Sequence, residues 1–300
     1  MPQTPHRYTS PDEDSARWLD FPARPGDIVI STRSKHGTTW TQMICALLVF
    51  QAPDLPAPLP ELSPWLDWLV VPQDELFARL EVQGHRRFIK THTPLDGLPL
   101  RPESRYIVVA RHPIDAAVSL YYQGQNLDHA RIRELAGVPD EAPAPEETSK
   151  AERPLREWLV GWAEDEVDPR EWLDSLQGVM WHLADAWERR GETNVLLVHY
   201  ADLAADLEGE MRRIAAWLGI AVEEERWPEL VKAATFAEMK SKAERVAPDP
   251  AGVMKSRDAF FRKGTSGSAR DLLSDEELAA YAARVEGLAP KAMLDWLHRP

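Results

Sequence analysis

The stretch that most restricts the fold is a strand, a short turn and a helix between residues 27 and 48. Residues 27–30 form an apolar run typical of a buried strand, and apolar residues from Trp40 to Leu48 recur at helical spacing. The turn between them reads S-K-H-G-T-T at residues 34–39. Such a turn offers free N–H groups and the positive end of a helix dipole, and its glycine lets an anion approach the backbone. The segment therefore predicts an anion-binding turn at the end of a strand.

This turn departs from the common nucleotide-binding loop. It has one glycine, and its lysine precedes that glycine, whereas the G-x-x-x-x-G-K-[ST] loop has two glycines followed by the lysine. Taken alone, the segment also fits an ordinary strand–helix turn with a solvated lysine.

Short apolar runs alternate with helical patterns along the chain. Strands that alternate with helices favour a parallel sheet with helices on both faces, and ligands bind at the carboxyl ends of such strands. We therefore predict one α/β domain over residues 1–300, with a central parallel sheet flanked by helices and a P-loop-like turn. The predicted strands are 27–30, 87–90, 105–110 and 194–199, and the clearest helices are 179–190, 208–218 and one from a capping box at Ser274 toward Leu288.

Three stretches interrupt the alternation. Residues 53–64 are rich in proline and predict an extended surface segment. Residues 138–154 are rich in Glu, Pro and Ala and predict a mobile loop, and residues 240–255 predict an irregular segment. None is a linker between two cores, because strand–helix units lie on both sides of the middle stretch.

Charge and cysteine content exclude several classes of function. A net charge of −14 over 300 residues argues against a nucleic-acid partner and against docking on anionic lipid. The lone Cys45 permits neither an internal disulfide nor a zinc cluster, which fits a reducing compartment. The N-terminal segment 1–20 is polar, and no apolar stretch is long enough to span a membrane. We expect a cytoplasmic protein, and the sequence leaves its oligomeric state open.

Three further motifs contain residues that can bind an anion or accept a proton. K-T-H-T-P at residues 90–94 puts a lysine and a histidine where a strand ends, and histidine can take a proton near neutral pH. Arg111 ends the next strand, and Ser119 follows about two helical turns after Pro113, so that the two can share a phosphate. R-K-G-T-S-G at residues 262–267 supplies two bases and a flexible turn. Taken one at a time, the first motif also fits a surface histidine, the second a helix-capping arginine and the third a solvated basic turn.

Together and in this order, the motifs resemble those of the cytosolic-type sulfotransferases, which use 3′-phosphoadenosine 5′-phosphosulfate (PAPS). The resemblance runs from about residue 27 to residue 267. Arg33 and Ser34 replace the Tyr-Pro of the family turn, and His36 replaces its serine. Three family motifs at strand ends have counterparts here: T-Y-P-K-S-G-T-T-W at residues 32–40, K-T-H-x-P at residues 90–94, and an arginine with a serine eight residues later at Arg111 and Ser119. Three later motifs also have counterparts: Y-E-D-L at residues 200–203, S-F-x-x-M at residues 235–239 and R-K-G-x-x-G at residues 262–267.

The resemblance implies transfer of a sulfuryl group from PAPS to a hydroxyl of a small, hydrophobic or aromatic acceptor, with 3′-phosphoadenosine 5′-phosphate (PAP) as product. His92 would be the general base, Lys35 would neutralise the leaving oxygen and Lys90 would bind the sulfuryl oxygens. It also implies that no metal ion is needed, because lysines supply the positive charge. The implied donor-binding residues are Lys35, His36, Gly37, Thr38, Thr39, Trp40, Arg111, Ser119, Tyr200, Thr235, Phe236, Arg262, Lys263 and Gly264.

The acceptor pocket and the rival functions are less constrained. A P-loop nucleotide kinase would need an acidic Mg²⁺ ligand after a strand, and residues 194–199 lead into Tyr200 instead. A non-catalytic nucleotide-binding module would keep Arg111 but could lose the base and the lysines.

Tryptophans near the irregular segments are the candidates for an apolar acceptor pocket: Trp65, Trp68, Trp158, Trp162 and Trp172.

Overall fold

The centre of the molecule is a parallel sheet of four strands in the order β2-β1-β3-β4, as the computed structural model shows. The model describes residues 4–135, 153–249, 251–262, 264, 267 and 270–299. The predicted loop at 138–154 lies almost entirely outside the described residues. The strands are β1 (Ile28–Ser31), β2 (Phe88–Thr91), β3 (Arg105–Ala110) and β4 (Val195–His199), which confirms the predicted parallel α/β architecture.

Helices connect the strands and continue after the last one. Three short 3₁₀ turns, Leu95–Gly97, Glu224–Arg226 and Arg270–Leu272, supplement them. The described helices are α1 (Arg17–Asp20), α2 (Thr38–Phe50), α3 (Leu59–Leu62), α4 (Gln73–Glu81), α5 (Pro113–Asn126), α6 (His129–Leu135), α7 (Leu155–Glu164), α8 (Leu176–Glu188), α9 (Tyr200–Ala205), α10 (Leu207–Leu218), α11 (Trp227–Ala233), α12 (Phe236–Ser241), α13 (Ala243–Val246), α14 (Arg257–Phe260), α15 (Asp275–Glu286) and α16 (Lys291–Leu297). None of these helices is both long and apolar enough to cross a lipid bilayer.

Both faces of the sheet are covered, which explains why its strands are continuous apolar runs. Val29 and Val108 belong to one buried cluster, in which residues of α5, α8, α15 and α16 pack on the sheet. Ile30 and Val109, one position along, belong to a second cluster with α2, α10 and α11. The side chains alternate between the two clusters because successive residues of a strand point to opposite faces.

Two of the segments that interrupt the alternation, one predicted to be extended and one predicted to be irregular, contain short helices. The first, 53–64, includes α3, whose Leu59 and Leu62 are buried against the second cluster. The second, 240–255, includes the end of α12 and all of α13, where Val246 is buried in that cluster. Apolar contacts with the core therefore outweigh the proline and charge content that suggested irregular chain. The final helix α16 was not predicted, and its buried Met293 and Leu297 hold it to the first cluster.

Candidate active site

The carboxyl ends of all four strands meet at one edge of the sheet because the strands are parallel. Lys35 lies in the turn after β1, His92 follows β2, Arg111 follows β3 and Tyr200 follows β4. The fold thus brings together residues that are far apart in the sequence. The R-K-G-x-x-G turn joins them from the C-terminal part of the chain, with Lys263 outside the described residues.

The turn between β1 and α2 has the shape that its sequence requires. Lys35 and Gly37 both have a left-handed backbone, with φ of 65° and 102°. A Cβ atom on Gly37 would lie 3.0 Å from Cδ2 of Tyr200, so both the backbone angle and the close approach demand glycine. The hydroxyl of Thr38, the first residue of α2, lies 2.5 Å from that of Thr32. Either hydroxyl can donate this hydrogen bond, and when Thr32 donates it, the proton of Thr38 is available for a ligand.

His36 is directed into its own turn. Its Nδ1–H donates to the carbonyl of Ser34 at 2.9 Å, and its main-chain N–H donates to the carbonyl of Arg33 at 3.2 Å. Burial lowers the pKa of the imidazole to about 4, so the ring is neutral at physiological pH. His36 therefore shapes the turn, and its own N–H groups are used within it in this conformation.

Two lysines lie at the turn, with Lys35 half-buried within it and Lys90 buried beside it. Nζ of Lys35 lies 3.3 Å from Oε1 of Gln123 and 3.9 Å from the ring centre of Phe260. Burial, followed by the charges of Arg111, Lys90 and Arg262, lowers the pKa of Lys35 to about 7. Nζ of Lys90 lies 4.0 Å above the ring of Trp65, and burial lowers its pKa to about 8. Over the described part of the chain, neither ammonium forms an ion pair with a carboxylate. The site therefore holds two desolvated amino groups without a direct ion-pair partner among the described residues, which is suited to an anion.

His92 has a fixed orientation. Its Nδ1–H donates to the carbonyl of Thr32 at 2.5 Å, and its ring packs edge-on against Trp65 with centroids 4.7 Å apart. Burial, then the charges of Lys90 and Arg33, hold the pKa of His92 well below its usual value. The ring is therefore neutral, with its proton on Nδ1 and a lone pair on Nε2. Within the described residues, Nε2 makes no hydrogen bond to the protein.

Arg111 lies behind the turn. Its Nη1 donates to the carbonyl of Lys35 at 3.2 Å, and its guanidinium lies 4.3 Å from the ring centre of Tyr200. Trp40 meets the same ring edge-on, with centroids 5.1 Å apart. Arg111 is therefore held in place by a cation–π contact with Tyr200. Ser119, the predicted phosphate partner of Arg111, lies half-buried on α5.

The C-terminal basic turn is held against α5 and α12. Arg262 stacks on Tyr122 at 4.5 Å, and the N–H of Gly267 donates to Oδ2 of Asp115 at 2.8 Å. Gly264 has φ of 65°, and a Cβ there would lie 2.5 Å from the ring of Phe236. These contacts bring the turn to the same edge of the sheet as Arg111.

Two of the predicted donor-binding residues, Trp40 and Thr235, are held by hydrogen bonds to the main chain. Nε1 of Trp40 donates to the carbonyl of Ala234 at 2.8 Å, which fixes the ring next to Thr235. The hydroxyl of Thr235 accepts from the N–H of Glu238 at 3.3 Å and thereby caps α12. The indole of Trp40 and the hydroxyl of Thr235 therefore both have fixed positions.

Aromatic residues border the other side of Lys90 and His92. Trp65 and Trp68 are stacked, with centroids 5.6 Å apart and planes 6° from parallel. Their segment is anchored by the buried carboxylate of Asp67, which accepts hydrogen bonds from Trp18, Thr91 and Thr93. Of the other candidate pocket residues, Trp158 and Trp162 form a second stacked pair, and Trp172 is 48 % exposed.

Some residues of the site carried no recognisable signal in the sequence. Gln123, Phe260 and Asp67 contact the lysines or the segments that bear them, but none stands in a motif. Arg33 was noted only as a departure from the family turn. No cluster of three or more potential metal ligands of the His, Cys, Asp or Glu type occurs in the residues that the structure describes.

Comparisons with known proteins agree with this geometry. A family model described as a sulfotransferase domain matches residues 25–294. A glycolipid sulfotransferase of Mycobacterium bovis is 43% identical over 97% of this chain and 93% of the relative, and human sulfotransferase 1C2 is 27% identical over 82% and 77%. Among solved structures, a mouse sulfotransferase complexed with PAP has a TM-score of 0.67 at 21% identity, covering 94% of this chain and 92% of that one. The chain therefore belongs to the family of PAPS-dependent sulfotransferases.

Proposed function

We propose that this chain transfers the sulfuryl group of PAPS to a hydroxyl of a small amphiphilic acceptor, with His92 as general base. The observation that carries the proposal is the orientation of His92, whose Nδ1–H is fixed on Thr32. Since the ring is neutral, the lone pair on Nε2 is the atom able to take the acceptor proton. The family match favours this function over a nucleotide kinase and over a non-catalytic nucleotide-binding module.

The lysines have separate tasks in the proposal. Sulfuryl transfer resembles phosphoryl transfer, in which an in-line transition state puts negative charge on the leaving oxygen. Lys35, in the turn at the start of α2, neutralises that oxygen as PAP leaves. Lys90, next to His92, binds the oxygens of the sulfuryl group during transfer. Lys90 is buried and Lys35 is half-buried, and both amino groups are desolvated, so their charges are weakly screened and act strongly at short range.

The remaining predicted residues hold the donor. Thr38 and Thr39, at the amino end of α2, donate to the 5′-phosphate together with the free N–H groups of the first helical turn. Arg111, Ser119 and Arg262 hold the 3′-phosphate, and Gly264 allows the basic turn to approach it. Lys263, outside the described residues, belongs to the same predicted group.

The depressed pKa values of the lysines predict that PAP binding takes up protons. Free Lys35, with a pKa of about 7, is mostly neutral at about pH 8, and nearby phosphates return its pKa toward the ordinary value. Lys90, with a pKa of about 8, contributes in the same direction. Calorimetry in buffers of different ionisation enthalpy should show uptake of about one proton near pH 8, and a much lower or negative value near pH 6, where the lysines are already protonated and the phosphates of PAP give up protons on binding. Lys35→Met should remove most of the uptake, and equal uptake at both pH values would contradict the account.

The acceptor is proposed to be a lipid-linked or otherwise amphiphilic alcohol. Trp65 and Trp68 form an apolar wall beside Lys90, which favours an acceptor with an apolar part. The mycobacterial relative is named a glycolipid sulfotransferase and is 43% identical. Glycolipids are therefore the first class to test, with phenols and steroids as alternatives.

An acceptor panel tests the proposed function. The chain is incubated with PAPS that carries a radioactive sulfur and with a glycolipid, a phenol or a steroid alcohol in turn, and labelled products are separated by chromatography. We expect label on at least one acceptor, and the expected order begins with the glycolipid. Release of inorganic sulfate alone, without label on any acceptor, would contradict the proposal.

We also expect turnover to be independent of added metal. The desolvated ammonium groups of Lys35 and Lys90 supply the positive charge that Mg²⁺ supplies in kinases. Excess EDTA in a working assay should leave kcat and KM nearly unchanged. Loss of activity with EDTA and its recovery on addition of Mg²⁺ would show that a metal ion is part of the site.

A further inference from the structure

Arg33 contacts both the proposed base and the segment before α8. The residue lies in the turn after β1 and is 3 % exposed. Its Nη1 donates to the main-chain carbonyl of His92, and its Nη2 donates to Oδ1 of Asp174 at 2.7 Å. One guanidinium therefore bridges the anion-binding turn, the end of β2 and a segment 141 residues away in the sequence.

Asp174 completes the bridge. Its second oxygen, Oδ2, accepts a hydrogen bond from the hydroxyl of Ser34 at 3.0 Å, so the carboxylate holds two consecutive residues of the turn. Its main-chain carbonyl accepts from Nε1 of Trp162 at 2.8 Å, which anchors it to α7. Arg33 and Ser34 stand where the family has Tyr-Pro, so these contacts belong to the residues by which this chain departs from the family turn.

We propose that Arg33 is a positioning residue for His92, which it holds by the main-chain carbonyl and links through Asp174 to the segment before α8. The inference rests on the proposed role of His92 as base. His92 is thus fixed at two points: its carbonyl by Arg33 and its Nδ1 by the carbonyl of Thr32, the residue before Arg33. Both contacts come from the chain between β1 and α2, so the position of the base is tied to that of the donor-binding turn.

The charge of Arg33 also acts on the imidazole. Protonation of the ring is opposed by the charges of Lys90 on β2 and Arg33 in the turn, and also by the neighbouring His182 on α8, whose own pKa burial holds well below its usual value. Two carboxylates lie in the same region, and both already accept hydrogen bonds: Asp174 from Arg33, and Asp67 from Thr91 and Thr93. Removal of the Arg33 charge therefore raises the pKa of His92, which keeps less of the base neutral as pH falls.

The test is Arg33→Gln, assayed for kcat, PAP affinity and the pH dependence of kcat/KM. A small displacement of a reacting group is costly, so kcat should fall about 10- to 100-fold. PAP affinity should change less than about threefold, because the Arg33 side chain is assigned no phosphate contact. The acid limb of the pH profile should move to higher pH, a shift that a merely structural role would not produce.

Two further variants serve as comparisons. Asp174→Asn, at a half-exposed side chain, should lower kcat without moving the acid limb to higher pH, because Arg33 keeps its charge. Arg86→Gln is the matched control: like Arg33, Arg86 bridges two segments that are distant in the sequence, here by donating to the main-chain carbonyls of Gly26 at 2.6 Å and Leu218 at 2.7 Å, but it lies beside the amino end of β2. It should lower the melting temperature and leave kcat and the pH profile unchanged.

The outcomes separate this inference from the proposed function. Unchanged kcat and an unmoved acid limb in Arg33→Gln, with His92→Ala inactive, overturn the role of Arg33 only. The same changes in Arg86→Gln as in Arg33→Gln also overturn it, because they would reflect general destabilisation. Full activity of His92→Ala overturns the proposed base, and the role of Arg33 with it.

Discussion

His92→Ala should lower kcat by about 10²- to 10⁴-fold, the usual contribution of a general base. PAP affinity should stay nearly constant, because the donor is held by the turn, Arg111 and Arg262 rather than by the imidazole. The structural reason is that the ring is neutral and oriented by Thr32, with Nε2 as its remaining acceptor atom. Steady-state kinetics combined with calorimetry of PAP binding measures both quantities on the same preparation.

His36→Ser is the control for that experiment. His36 is also buried and neutral, but its ring donates to Ser34 within its own turn and has no task in the transfer. We expect this variant to keep substantial activity, because serine is the residue that the family has there. If His36→Ser lost as much activity as His92→Ala, or if His36 were the essential histidine, the assignment of the base would be wrong.

Arg111→Ala should remove most of the preference of the site for PAP over AMP, which differs only by the 3′-phosphate. For several charge-assisted hydrogen bonds we expect a preference of roughly 2–4 kcal/mol, or about 30- to 1000-fold in Kd. Arg111 is buried, rests on Tyr200 and also donates to the carbonyl of Lys35, so its guanidinium is already oriented in the free protein. Calorimetric titration of both nucleotides into both proteins measures the preference.

Arg105→Ala is the matched control for Arg111→Ala. Arg105 lies at the other end of the same strand, β3, where its guanidinium faces Trp217 at 5.8 Å. Its removal should leave the nucleotide preference intact. If the unsubstituted protein bound PAP and AMP with equal affinity, the site would not recognise the 3′-phosphate.

The fold was accessible from sequence because its strands are short, apolar on both faces and separated by helical patterns. Arg105–Ala110 was predicted with its observed bounds, and the other three strands differ by a residue at one or both ends. The short helices α3 and α13 and the final helix α16 were missed. Each buries a few apolar side chains, such as Leu59 and Met293, against surfaces that only the folded chain provides.

The convergence of candidate residues was predictable where they stand in motifs at strand ends, as Lys35, His92 and Arg111 do, and their roles stay predictions. The supporting contacts of the site were not predictable, because they join residues that the sequence separates widely. Asp174 reaches Arg33 across 141 positions, and Gln123 reaches Lys35 across 88. The orientation of the His36 ring, toward Ser34 rather than toward a ligand, also depends on local packing that no motif specifies.

The most direct measurement follows both products of one reaction. The chain is incubated with radiolabelled PAPS and a glycolipid acceptor, and labelled glycolipid and PAP are quantified over time, with a parallel reaction in which ATP replaces PAPS. We expect one PAP for each sulfated acceptor, and no modified acceptor with ATP. Phosphorylated acceptor formed from ATP, or nucleotide binding without any transfer, would contradict the account.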